Sequence, residues 1–88
     1  MPTHDEIVAV LDAIRLSDHL VHGAPDPYRA CMEACVEIVV IEMLLGRRSL
    51  TEPVVFTIDH VQHGATAWCN NLYERAKACF PEDPNDQP

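Results

Sequence analysis

The segment from residue 31 to residue 45 is almost entirely apolar, and it constrains the fold more than any other part of the chain. Its charged residues are the glutamates Glu33, Glu37 and Glu42. Glu33 and Glu37 lie about one helical turn apart and share a narrow polar stripe, while Glu42 points about half a turn away. A helix that is apolar on nearly all sides is a buried one. Two further helices are too few to cover it, so we expect a second copy of the chain to complete the core.

Capping residues predict a first helix over about residues 5–22. Thr3 and Glu6 match a capping box, in which the hydroxyl and the carboxylate each accept a hydrogen bond from a free backbone N–H group at the helix start. Apolar residues then recur with the helical period of about 3.6 residues. They form one face of the helix, made of Ile7, Val10, Leu11, Ile14 and Val21.

A proline-rich break separates this helix from the apolar segment. Asp26 is a good N-cap, and Pro27 suits the first helical position because a missing N–H group costs nothing there. Gly46 is typical of the residue that follows a helix. These signals predict the second helix over about residues 27–45.

The third segment is predicted to be one long helix over about residues 52–80. An apolar stripe with helical spacing runs in phase from Val54 to Phe80. The alternative is a strand over residues 54–58, since the β-branched residues there favour one. We prefer the helix because its stripe continues beyond this stretch. Such a helix spans ~40 Å, against ~28 Å for each of the others, and would extend beyond them or pair with a copy of itself.

Together these segments predict an all-α fold. The expected architecture is a three-helix antiparallel bundle with a long C-terminal helix, completed as a larger helical bundle in a homodimer. Residues 1–80 form a single domain in this interpretation, because 88 residues allow no more than one. The acidic, proline-rich residues 81–88 are predicted to be disordered.

The charge of the chain narrows the choice of partners. With 6 basic and 14 acidic side chains the formal net charge is −8. Phosphates repel such a protein, so we expect no direct contact with nucleic acid or an anionic membrane and favour a protein partner with a basic surface. No apolar run reaches the ~18 residues of a membrane helix, and the first residues are acidic where a secretory signal is basic. We therefore expect a cytoplasmic protein.

Four cysteines raise the question of a disulfide or a metal site. The spacings Cys31–Cys35 and Cys69–Cys79 are similar to the CX3C and CX9C pairs of small oxidised helical hairpins, although those proteins use matched spacings on both helices. Here the pairs span ~6 Å and ~15 Å along a helix, too unequal for two disulfides between antiparallel helices. Reduced core thiols are the favoured interpretation, with no metal site. The alternative is a metal-binding or redox protein in which Cys31 and Cys35 hold one soft ion.

Motifs for nucleophilic catalysis, phosphate binding and dinucleotide binding are missing from the sequence, so we predict neither an enzyme nor a cofactor. His60 and His63 are interpreted as solvated residues rather than metal ligands. Glu42 lies on an apolar side of its helix and needs a partner there. Arg15, Arg47 or a second copy of the chain is expected to provide it.

The stretch between Asp59 and Glu74 contains no Asp, Glu, Lys or Arg. On a single helix it would present an uncharged outer face, with room for another backbone beside Gly64. Depletion of charge is typical of the centre of an interface. We interpret this face as a contact surface.

These features predict a small acidic, non-catalytic, protein-binding regulator or inhibitor. It would block a basic, nucleic-acid-binding surface of its target by charge mimicry. Small phage and mobile-element inhibitors and antitoxins share this physical profile, and a structural dimerisation module is a further alternative. The predicted contact residues are acidic or belong to the uncharged face: Asp12, Glu33, Glu37, Asp59, His60, His63 and Asn70.

Overall fold

The computed structural model describes residues 2–80. Three helices and a β-hairpin follow one another in the order α1 (His4–His22), α2 (Pro27–Leu44), β1 (Val55–Ile58), β2 (Val61–Gly64) and α3 (Thr66–Lys77). None of the helices in this part of the chain is both long and apolar enough to cross a membrane. The tail that was predicted to be disordered, residues 81–88, lies outside the described residues.

Helix α1 begins where its capping residues predict. The Thr3 hydroxyl accepts a hydrogen bond from the Glu6 N–H group at 3.2 Å, and Glu6 Oε1 accepts one from the Thr3 N–H group at 3.1 Å. The capping box is thereby confirmed. The helix ends at Gly23, whose φ of 89° is one that residues with a side chain rarely adopt. Ile7 and Leu11 anchor α1 in the core.

Helix α2 has its predicted start, and it ends one residue before the predicted position. Asp26 accepts a hydrogen bond from the Arg29 N–H group at 2.7 Å, and Pro27 is the first helical residue. The helix packs against both α1 and α3. It is not buried on all sides, because Ile38 on its outer side is 63% exposed. The buried face consists of Met32, Val36, Val40, Met43 and Leu44.

The predicted long C-terminal helix is wrong, because residues 55–64 form an antiparallel β-hairpin. Asp59 and His60 connect the two strands and have φ values of 50° and 68°. Two positive φ values in a two-residue connection are typical of a type I′ turn, whose twist matches that of the strands. The register pairs Val55 with Gly64, Phe56 with His63, Thr57 with Gln62 and Ile58 with Val61.

The apolar spacing of this segment fits a strand as well as a helix. Residues four apart share one face in either structure, so Val54 and Ile58 do not distinguish the two. Phe56 does, since it lies on the same side as Ile58 in a strand and on nearly the opposite side in a helix. Phe56 and Ile58 are both half-buried, while Val55 and Thr57 between them are exposed. Burial alternates along residues 55–58, as in a strand, and the strand that had been the alternative prediction is formed.

Helix α3 has 12 residues, about 18 Å at 1.5 Å per residue, instead of the predicted ~40 Å. The hairpin closes at its base, where the Ala65 N–H group donates to the Val54 carbonyl at 2.9 Å and the Thr66 hydroxyl accepts from the Val54 N–H group at 2.9 Å. α3 then buries Cys69, Leu72 and Ala76 against α2. The fold is helical with a hairpin rather than all-α. The long overhanging helix that motivated a larger homodimeric bundle is not formed.

Candidate functional site

The predicted uncharged contact face is divided between two elements. His60 and His63 belong to the hairpin, whereas Asn70 lies on α3. Asp59 and His60 form the exposed tip of the hairpin. The prediction of one continuous helical face is therefore wrong, and these residues do not share a single surface of one helix.

His63 connects the hairpin to the start of α2. Its side of the hairpin faces the helices, and the ring is half-buried. The Tyr28 hydroxyl lies 2.7 Å from the His63 Nε2 atom, and the two rings meet edge to face with their centroids 5.3 Å apart. His63 thus holds the hairpin in place rather than standing free in solvent.

Arg15 and His19 of α1 contact three of the carboxylates that were predicted to face a partner. Arg15 lies 3.2 Å from both carboxylate oxygens of Glu37 and 3.0 Å from Asp12. His19 Nε2 lies 2.7 Å from Glu33 Oε2. The side chains of Glu33 and Glu37 are 14% and 17% exposed, so their charge is turned inward. Asp12 is 44% exposed and remains accessible.

A further ion pair connects α1 to α3. The Arg75 guanidinium donates to both carboxylate oxygens of Asp18, at 2.9 Å and 3.0 Å. These hydrogen bonds stabilise both charged forms, so they lower the pKa of Asp18 and raise that of Arg75. α1 is therefore attached to α2 and to α3 by separate ion pairs along its C-terminal half.

These ion pairs line an open cleft of about 680 Å³ between the three helices. Trp68 forms part of its wall, with the Arg29 guanidinium 4.8 Å above the ring. Burial raises the pKa of Glu37 in this cleft, although the neighbouring Arg15 opposes the effect. Since Asp18 and Glu37 are each paired with an arginine and Glu33 with His19, the arrangement fastens helices together rather than supplying a free general acid or base.

Glu42 lies next to one of its expected partners. Arg47 Nη1 is 3.8 Å from the carboxylate, and the Glu42 side chain is 41% exposed. The carboxylate therefore remains in contact with water at the edge of α2. Glu42 therefore forms an ion pair with Arg47, one of the partners expected for it.

The four cysteines are free thiols in different surroundings. Cys69 is fully buried and Cys35 is half-buried, while Cys31 and Cys79 are exposed. The prediction of core thiols is therefore wrong for Cys31 and Cys79. Among residues 2–80, no group of three or more His, Cys, Asp or Glu side chains is arranged to hold a metal ion.

Helix α1 carries a second apolar stripe that the sequence analysis missed. Leu16 lies nine residues after Ile7, and Leu20 lies nine residues after Leu11. At about 100° per residue, each points half a turn away from a core residue. Leu16 is 58% exposed and Leu20 is 88% exposed. We define the α1 outer stripe as Ala9, Ala13, Leu16 and Leu20, a helical spacing that was visible in the sequence.

Comparison with protein-family models, with curated proteins and with solved structures found no match to this chain.

Proposed function

We propose that the chain is a non-catalytic protein-binding domain that regulates or inhibits a target with a basic surface, and that the α1 outer stripe is its principal contact. The supporting observation is the exposure of Leu16 and Leu20, 58% and 88%. Full burial of a leucine side chain is worth about 1.5–3 kcal/mol, so a partner that covers both gains substantial affinity. The stripe is continuous along the helix, as expected of a contact surface rather than of scattered apolar residues.

Acidic residues accompany the N-terminal half of the stripe. Asp5 and Glu6 lie in the first turn of α1 and are exposed. Asp12 lies between Ala9 and Ala13 in sequence and is also accessible. A partner that places apolar side chains on the leucines and Lys or Arg beside these carboxylates matches both the shape and the charge of the surface.

Charge favours such a partner over a second copy of the chain. Each copy carries a formal charge of −8, and two such proteins repel one another at moderate ionic strength. The same charge supports mimicry of nucleic acid, because surfaces that bind phosphates are rich in Lys and Arg. Asp59 and His60 at the hairpin tip are accessible for a second contact with the target.

Two synthetic helical peptides test this proposal. One is an amphipathic peptide of leucine and lysine, and the other is the same peptide with glutamate in place of lysine. We expect the lysine peptide to bind with an affinity that falls as salt is added, and the glutamate peptide not to bind. Isothermal titration calorimetry measures both.

Variants of α1 show whether the stripe is the contact. The double variant Leu16→Gln/Leu20→Gln should bind the lysine peptide at least about tenfold more weakly, a loss of about 1.4 kcal/mol. Leu50→Gln makes the same change at a leucine that is 44% exposed outside α1, and should bind like the wild type. Circular dichroism checks that both variants are folded. Wild-type affinity in the double variant would refute the assignment of the stripe.

A further inference from the structure

We propose that Cys31 and Cys35 form a two-coordinate site for a soft monovalent cation, Cu(I). The residues are four apart within α2, so they lie on the same side of the helix and about 6 Å apart along its axis. Cys31 is exposed and Cys35 is half-buried, so an ion reaches both sulfur atoms from solvent. This site lies on α2 and does not depend on the function proposed for α1.

Residues four apart on an α-helix have their Cβ atoms about 5–6 Å apart, so the two thiols are near enough to bind one ion. The charge of a cation bound between the two sulfur atoms interacts favourably with both thiolates. Cys69 and Cys79 lack this arrangement, since they are ten residues apart and one is in the core.

The number and kind of ligands select the ion. Thiolates prefer soft cations, and Cu(I) is satisfied by two of them. Zinc in a structural site requires four ligands, and no group of three or more candidate ligands is assembled within residues 2–80. Glu42 also lies on this side of α2, but it is seven residues beyond Cys35, ~10 Å along the axis, and its carboxylate is 3.8 Å from Arg47 Nη1.

Binding is a ligand exchange without a change of oxidation state. Two S–H bonds are replaced by two Cu–S bonds, so one Cu⁺ and two thiols give an anionic bis-thiolate complex and two protons. The protons pass to the buffer. Because both thiols must lose a proton, the apparent affinity should rise with pH.

Anaerobic titration of the full chain with Cu(I), in competition with the chromophoric chelator bicinchoninate, tests the site. We expect one Cu(I) per chain, with a monomer mass that does not change on binding. Cys31→Ser and Cys35→Ser should each lose at least about a hundredfold in affinity, because one thiolate cannot replace two. Cys79→Ser removes the other exposed thiol and should bind like the wild type.

Several results would overturn the proposal. Wild-type affinity in either Cys31→Ser or Cys35→Ser would show that the pair is not the site. Half a Cu(I) per chain with a doubled mass would show that copper bridges two copies instead. A loss of binding in Cys79→Ser would assign the metal to a different thiol. The Cys31 variant changes an exposed side chain, so misfolding does not obscure its result.

Discussion

Removal of the ion pair between Asp18 and Arg75 tests whether charge fastens α1 to α3. The perturbation is Asp18→Asn and Arg75→Gln, singly and together. The two side chains are 42% and 44% exposed, so solvent screening limits the pair to about 0.2–1 kcal/mol. Its two-point geometry, with contacts at 2.9 Å and 3.0 Å, places it in the upper part of that range. We expect a coupling free energy of about 0.5–1 kcal/mol.

Urea unfolding of the wild type, the two single variants and the double variant gives this coupling directly. In a domain of this size 1 kcal/mol corresponds to a Tm shift of about 4–8 °C, so the pair should be visible in thermal melts as well. Glu74→Gln removes a negative charge, as Asp18→Asn does, but from the α3 residue next to Arg75. This control should change stability by no more than about 0.5 kcal/mol.

The coupling should depend on pH in one direction. Arg75 holds the pKa of Asp18 below the ordinary aspartate value of about 3.9. Because the pKa of Asp18 is lowered in the folded state, the pair stabilises the protein at pH values above the ordinary aspartate pKa. This stabilisation is lost as the pH falls through the lowered pKa of the folded state. Coupling that is absent at neutral pH, or that does not weaken between about pH 5 and pH 2, would refute the reasoning.

Three further predictions follow from single residues. His60→Gly should raise the free energy of unfolding by about 0.5–1 kcal/mol, because glycine adopts the φ of 68° without strain. Urea unfolding measures this change, and a loss of stability would contradict the assigned turn. Leu11 is 1% exposed and Leu20 is 88% exposed. Leu11→Ala should therefore cost about 2–5 kcal/mol and Leu20→Ala no more than about 0.5 kcal/mol, and equal costs in chemical unfolding would show that α1 is oriented differently. Burial raises the pKa of Glu37 in the folded state. The contribution of the Glu37 side chain to stability is therefore greatest below the ordinary glutamate pKa of about 4.3, and it decreases as the pH rises through the raised pKa. Thermal melts should show the wild type losing stability relative to Glu37→Gln between about pH 4 and pH 7, whereas the opposite trend would mean that Arg15 outweighs burial.

Helices α1 and α2 were predictable because their signals are local. The capping box of Thr3 and Glu6 and the N-cap at Asp26 each act over three residues, and both are present as predicted. The apolar faces of α1 and α2 were predictable from the helical period of about 3.6 residues. The sequence also contained the α1 outer stripe, but periodicity alone does not show which of two apolar stripes becomes the core.

The hairpin was not predictable with the same rules, because its signals are ambiguous. Val54 and Ile58 fit both periods, and the turn lacks the Asn-Gly or Asp-Gly pair that marks most type I′ turns. Asp59 and His60 adopt positive φ values nonetheless. The contacts of Val54 with Ala65 and Thr66, across the base of the hairpin, stabilise a conformation that the turn residues do not specify by themselves.

The sequence by itself determined where α1 and α2 begin, which of their residues are apolar, and the net charge of −8. Only the tertiary structure decided which charges are available. Glu33 and Glu37 are paired with His19 and Arg15, and Asp18 is paired with a residue 57 positions away. The net charge is a sum over all residues and can be read from the sequence. An ion pair or an exposed thiol depends on the positions that side chains take only after the helices have packed.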